Sequence, residues 1–143
     1  MKIGTMGMSI QEVAQFLQKE GNMPVKHISQ VEAAVVTSGV KTTRQVLISS
    51  NEGPNFAMRR FIMEPGGGMP RHTNSVEHEQ YVLHGKARIG IGDEVHEVKQ
   101  GDVVFIPQEI PHWYENIGNE PFEFICVIPN KPDKIVILDD VSC

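Results

Sequence analysis

The chain is short of cysteine, of positive charge and of long apolar runs, and each shortage excludes something. Two cysteines, Cys126 and Cys143, among 143 residues are too few for a disulfide framework. Cys126 lies in an apolar stretch and reads as a small buried hydrophobe, and the setting reads as reducing and cytoplasmic. Thirteen Lys and Arg against 18 Asp and Glu leave a net charge of −5. Nucleic acid is therefore not an expected partner, because phosphate backbones need a basic face. No apolar run approaches the roughly 20 residues that span a bilayer. The opening MKIGTMGMSIQEV has one lysine and no apolar core, so it does not read as a signal peptide. Internal repeats and low-complexity tracts are also missing.

What is present is ordinary for one globular domain: 40% hydrophobic and 22% charged residues, in a chain long enough to bury a core. One helix is expected over Ser9–Glu20. Ser9 can cap it and Glu12 stands three residues on, the capping-box spacing. Ile10, Val13, Ala14, Phe16 and Leu17 form an apolar packing face, and Gly21 and Pro24 end the helix. Residues 1–24 read as a helical extension and residues 25–143 as one β domain. Its candidate strands are Val35–Val40, Arg44–Ser50, Phe56–Glu64, His78–His84, Ala87–Ile91, Glu94–Val98, Val103–Pro107, Trp113–Asn116, Phe122–Pro129 and Ile135–Leu138. Pro65-Gly66-Gly67-Gly68 reads as the stop of the strand before it, and Ser38-Gly39 as a turn. Short strands at this spacing, broken by Gly and Pro, predict an all-β sandwich or barrel.

Two stretches carry the chemistry. PGGGMPRHTNSVEHEQYVLHG (65–85) holds His72 and His78, and GDVVFIPQEIPHWYEN (101–116) holds His112. Neutral imidazole is the commonest protein ligand for a transition metal, and strand ends can place three of them around one ion. Period-two alternation puts His78, Gln80 and Val82 on one strand face and Glu79 and Tyr81 on the other. The same rule groups His112, Tyr114 and Asn116. If His78 points inward, Glu79, the rival ligand, points out. Gln80 either hydrogen-bonds a substrate or fills a polar wall. Tyr114 is either a proton donor or a core tyrosine with a satisfied hydroxyl. Arg59 and Arg60 are adjacent in mid-strand, so one faces inward. The sequence does not decide between them; the inward one, with Arg60 as the candidate, would anchor a substrate carboxylate, and a glutamate partner on a neighbouring strand is the equal alternative.

These stretches resemble the two motifs of the cupin family. The first motif is Gly, five residues, His-x-His, three or four residues, Glu, six residues, Gly. It is followed by Gly66, His72, Asn74, His78 and Gly85, with Asn74 in place of the second histidine and His78 in place of the glutamate. The second motif is Gly, five residues, Pro-x-Gly, two residues, His, three residues, Asn. It is followed by Gly101, Pro107, His112 and Asn116, with Glu109 where the glycine is expected. The resemblance implies an all-β double-stranded β-helix, a jelly-roll barrel. It also implies a mononuclear divalent metal (zinc, manganese, iron, nickel or copper) held by His72, His78 and His112. Asn74 is then either a fourth ligand or a turn-stabilising residue. The implied function is a metal-dependent enzyme acting on a small carboxylated or hydroxylated compound, by dioxygenase, decarboxylase, lyase or isomerase chemistry. The alternative is a module that binds a small ligand without turnover. A homodimer is expected, with Ile135–Leu138 and the N-terminal helix as its contact pieces.

Overall fold

Successive residues of a strand face opposite ways, so each strand can give one face to the core and one to solvent. In the computed structural model, which describes residues 2–3, 7–12 and 24–138, most of the chain is strand. In chain order these are β1 (Lys2–Ile3), β2 (Met8–Ser9), β3 (Ala33–Val35), β4 (Val40–Ile48), β5 (Phe56–Asn74), β6 (His78–His84), β7 (Lys86–Ile91), β8 (Glu94–Lys99), β9 (Val103–Ile106), β10 (His112–Glu115), β11 (Phe122–Pro129) and β12 (Ile135–Ile137). A 3-10 turn occupies Ile28–Gln30. Among the described residues no helix is long and apolar enough to cross a membrane.

The chain divides into two units, Met1–Val31 and Glu32–Cys143. In the first, β1 and β2 pair antiparallel, with Lys2 opposite Ser9. Residues 10–12 are helical. The Ser9 N–H donates to Glu12 Oε2 at 2.7 Å and the Glu12 N–H to Ser9 Oγ at 3.1 Å, closing the capping box. Residues 13–20, which carry the rest of the expected helix and its apolar stripe, lie outside the described residues.

The second unit is built on β5. The Pro-Gly-Gly-Gly run does not stop this strand at Glu64; it bends it, and the strand continues to Asn74. The first half of β5 pairs with β4 on one side and β11 on the other. The second half pairs with β10 and β12. One strand thus belongs to two sheet faces. β3, β4, β11, β6 and β9 extend one; β12, β10, β7 and β8 extend the other. Gly66 takes φ +81°, a region open to glycine without steric cost. The ladder survives the bend, since the Asn116 N–H donates to the Gly67 carbonyl at 2.9 Å.

A second departure lies earlier. Val35–Val40 is not one strand: Val35 ends β3, Val40 begins β4, and residues 36–39 are the turn between them, closed by the Val36 N–H donating to the Thr42 carbonyl at 3.0 Å and the Gly39 N–H to the Val36 carbonyl at 3.0 Å. The Ser38-Gly39 turn signal outweighs the β-branched valines around it.

Apolar residues from both faces meet inside. Met63, Val82, Val104, Ile106, Phe122, Phe124 and Cys126 come from one face, and Ala87, Ile89, Val98 and Tyr114 from the other. Phe124 stacks on Phe61 at 5.1 Å and on Tyr114 at 5.3 Å. Full burial of a side chain such as Phe122 or Met63 stabilises by about 1.5–3 kcal/mol. The architecture is the expected all-β, double-stranded jelly roll. The remaining inner strand positions, together with Tyr114 and Phe124 at the edge of this core, line the site.

Candidate metal centre

Both sheet faces deliver polar side chains to one internal cavity of about 100 Å³. His72 comes from the second half of β5, and His78 and Gln80 from β6, while His112, from the start of β10, is buried behind His72 rather than on the cavity lining. His112 sits opposite His72 in the β5–β10 ladder. Their ring centroids are 4.1 Å apart, and His78 lies 5.6 Å from His112. Alternation along β6 holds as expected: His78, Gln80 and Val82 are buried, while Glu79 and Tyr81 are exposed. Glu79 is therefore out of reach of the cavity. Burial and a hydrogen bond shared with Glu77 hold its carboxyl at about 7.

The hydrogen bonds fix which imidazole nitrogen is available. His72 Nδ1 lies 2.7 Å from the Pro70 carbonyl and His112 Nδ1 lies 2.9 Å from the Ile110 carbonyl. A carbonyl only accepts, so in each neutral ring Nδ1 carries the hydrogen and Nε2 keeps the lone pair. His78 Nδ1 lies 3.4 Å from Cys126 Sγ. The Nε2 atoms of His78 and His112 and the Oδ1 of Asn74 are buried with no hydrogen-bond partner. Asn74 Nδ2 is occupied, donating to Asp133 Oδ2 at 2.8 Å. Anchored Nδ1 atoms and bare Nε2 atoms are how ligating histidines are held, so the donor set fits a transition metal. As they stand, the side chains are not closed around an ion: among the described residues no group of three His, Cys, Asp or Glu forms a ready ligand set.

Burial keeps these rings neutral. It lowers the pKa of His72, and lowers His78 to about 3 with help from Arg59 and the other two rings. His112 falls to about 4 through burial and its neighbour His72. The sign for stability follows. Unfolded histidines protonate near 6.5, while the folded ones resist until about 4 and about 3. Stability present above pH 6.5 is therefore lost progressively as pH falls toward 3. Urea unfolding of metal-free protein at pH 7, 5 and 4 is expected to show a falling midpoint, and a shallower fall when His78 and His112 are both glutamine. Equal slopes in the two proteins would remove the histidines as the cause.

The other expected site residues divide. Gln80 Nε2 donates to the Tyr114 hydroxyl at 2.7 Å, and both line the cavity. Burial holds the Tyr114 hydroxyl well above its ordinary range, so it stays protonated. Arg60 is not a cavity residue. It lies on the opposite strand face, ion-paired with Glu123 and donating to Gln45 Oε1 at 2.8 Å. Arg59 takes the inward position, over the Phe61 ring and donating from Nη2 to Cys126 Sγ at 3.2 Å. Asn116 is a structural clamp: its Nδ2 donates to the carbonyls of Met63 and Glu120, and its Oδ1 accepts from the Gly118 N–H. Glu109, standing where the motif has glycine, adopts φ +66°. Sequence reasoning passed over Arg44, on the inner face of β4, and the contact of Cys126 with His78.

Comparison with known proteins agrees with this architecture. The cupin-domain family profile matches residues 59–128. The chain is 42% identical over 76 residues to an uncharacterised protein of Methanocaldococcus jannaschii, covering 52% of this chain and 61% of that one. It is 32% identical over 92 residues to 1-methylthio-D-xylulose 5-phosphate methylsulfurylase of Rhodospirillum rubrum, covering 64% of this chain and 58% of that one. These matches span about three fifths of the length of the curated relatives. Among solved structures, the polyketide cyclase RemF of Streptomyces resistomycificus is similar with a TM-score of 0.73 and 30% identity, over 82% of this chain and 88% of that one. With two sequence motifs, a jelly-roll sheet and these relatives in agreement, the chain belongs to the cupin family.

Proposed function

We propose that the protein is a metal-dependent cupin enzyme acting on a small carboxylated or hydroxylated compound. The observation that carries this reading is the set of buried ligand atoms that have no partner among the described residues at and just behind the cavity wall: Nε2 of His78 and His112 beside His72, each ring anchored through Nδ1, with Asn74 Oδ1 nearby. His72, His78 and His112 would hold the ion, and Asn74 would complete the set or face a bound water. A divalent ion without a carboxylate ligand keeps its full charge and would supply Lewis-acid stabilisation of an anionic oxygen. The chain's own groups do the rest. Gln80 orients Tyr114 through the 2.7 Å hydrogen bond, leaving the phenol O–H free to donate toward a substrate oxygen. Phe61, Phe124 and Met69 line the rest of the cavity and limit water. Relatives bearing enzyme names, the methylsulfurylase and the cyclase, support catalysis without fixing the reaction.

One observation favours binding without turnover: among the described residues no carboxylate lines the cavity to serve as an obvious general base. Metal analysis, followed by oxygen uptake and product detection against a panel of small acids and diols, separates the readings. Tightly held zinc with no oxygen uptake removes the oxygenase, and a ligand that raises Tm yet is recovered unchanged supports the binding module. We also propose self-association. Its support is the exposed apolar series Ile135, Val136 and Ile137 on β12 and Val103 and Phe105 on β9. Light scattering is expected to give twice the chain mass of 16.0 kDa, and a monomer would refute it.

A further inference from the structure

Two cations line the cavity, and no acid among the described residues meets them there. Arg44 pairs with Phe61 and Arg59 with Val46 in the β4–β5 ladder, so the arginines are diagonal neighbours on one strand face. Both line the same cavity as His72, His78 and Gln80, and among the described residues no Asp or Glu joins them there. Each has a buried Nε without a hydrogen-bond partner. Among the described residues, carboxylates pair with Arg60 and Arg88 but with neither Arg44 nor Arg59. Asp133, the acid whose charge acts on His72 and His112, is committed to Asn74 Nδ2 and to the Ser75 N–H at 3.0 Å.

Such an arrangement is costly on its own. Guanidinium does not lose its proton in a protein, and a partly buried charge without a partner is unfavourable. Burial and the neighbouring Arg59 both press the Arg44 pKa below its ordinary value, the signature of two like charges held together. A folded barrel that keeps two uncompensated guanidiniums beside neutral imidazoles has room for an anion of matching charge. The fork of N–H donors on each arginine fits the paired oxygens of a carboxylate or phosphate.

We propose that Arg44 and Arg59 form a clamp for a small dianion, a phosphate monoester or a dicarboxylate, whose remaining atoms reach toward His78 and Gln80. This deepens the function proposed above and rests on it only for the chemistry at the far end, because recognition of the anion needs no metal. The test is calorimetric titration of the metal-free protein, at low salt and pH 7.5, with methyl phosphate, malonate, and the neutral trimethyl phosphate and dimethyl malonate. One dianion is expected to bind per chain while the neutral esters do not, and the tighter of the two names the acid group. Arg44→Gln and Arg59→Gln are each expected to weaken it by about tenfold or more, the loss typical of a charge-assisted hydrogen bond. Arg60→Gln, at the outward arginine, is expected to leave affinity within about twofold. Because the clamp residues repel each other, Arg44→Gln is not expected to lower Tm, which loss of a merely structural arginine would do. Dianions binding no better than their neutral esters, or unchanged affinity in both clamp variants, would overturn the proposal. Metal titration of the same samples keeps the two readings apart. A protein that holds the dianion but no metal loses the metal centre and keeps the clamp.

Discussion

Replacing His112 by alanine is expected to lower the affinity for a divalent transition metal by about 100-fold or more, because even the outer partners of ligating histidines are worth about 10–100-fold. His112 is the central ring. It faces His72 across the β5–β10 ladder and lies next to His78. Its exposure is 1%, and its Nε2 has nothing else to bind. Metal at about 1,000 times its dissociation constant stabilises a folded protein by about 4 kcal/mol. For a chain of this size that corresponds to a rise in Tm of roughly 10–15 °C. The wild-type protein is expected to show that rise on metal loading, and His112→Ala to show almost none. Differential scanning calorimetry with and without metal reads both. A variant that keeps the full rise would remove His112 from the ligand set.

The second large effect is structural. Gly68→Ala is expected to destabilise the barrel by about 3 kcal/mol or more, with a Tm lower by roughly 10 °C. A Cβ at Gly68 would lie 2.0 Å from the Tyr114 carbonyl oxygen and 2.9 Å from its carbon. Both are backbone atoms, so the clash cannot be relieved by turning a side chain. It must push β10 off β5 where Glu115 pairs with Gly68 and Tyr114 with Met69. The same ladder carries His112 to His72, so metal affinity is expected to fall with stability. Gly118→Ala is the control. The nearest atoms its Cβ would meet belong to side chains, the flexible Lys86 at 3.3 Å and Asn116 Oδ1 at 3.5 Å, and a change within about 0.5 kcal/mol is expected. Denaturant unfolding of both variants decides; equal midpoints would show that the close approach at Gly68 is not needed.

What could be read from the sequence was what depends on local spacing. The histidines came from motif spacing, and the inward turn of His78 over Glu79 from strand alternation, because both operate within a few residues. The bend in β5 could not be read that way. Pro-Gly-Gly-Gly looks the same whether a strand stops or turns a corner, and the outcome depends on β10 and β12, which lie far along the chain. The choice between Arg59 and Arg60 failed for a related reason. Arg59, Phe61 and Met63 share one face and Arg60, Ile62 and Glu64 the other, but Ile62 blurs the contrast. Met63, with no exposed surface, marks the inner face only once the barrel is closed. Arg44 and the Cys126–His78 contact were invisible because they depend on cross-strand register, which the turn at residues 36–39 helps to set.

The central claim is that imidazoles from β5, β6 and β10 share one ion inside the barrel. Anomalous diffraction from crystals of the metal-loaded protein, collected at the metal's absorption edge, tests it most directly. The predicted result is a single peak in the cavity at about 2.0–2.3 Å from Nε2 of His72, His78 and His112. A peak bound elsewhere, or none after soaking in excess metal, would contradict it.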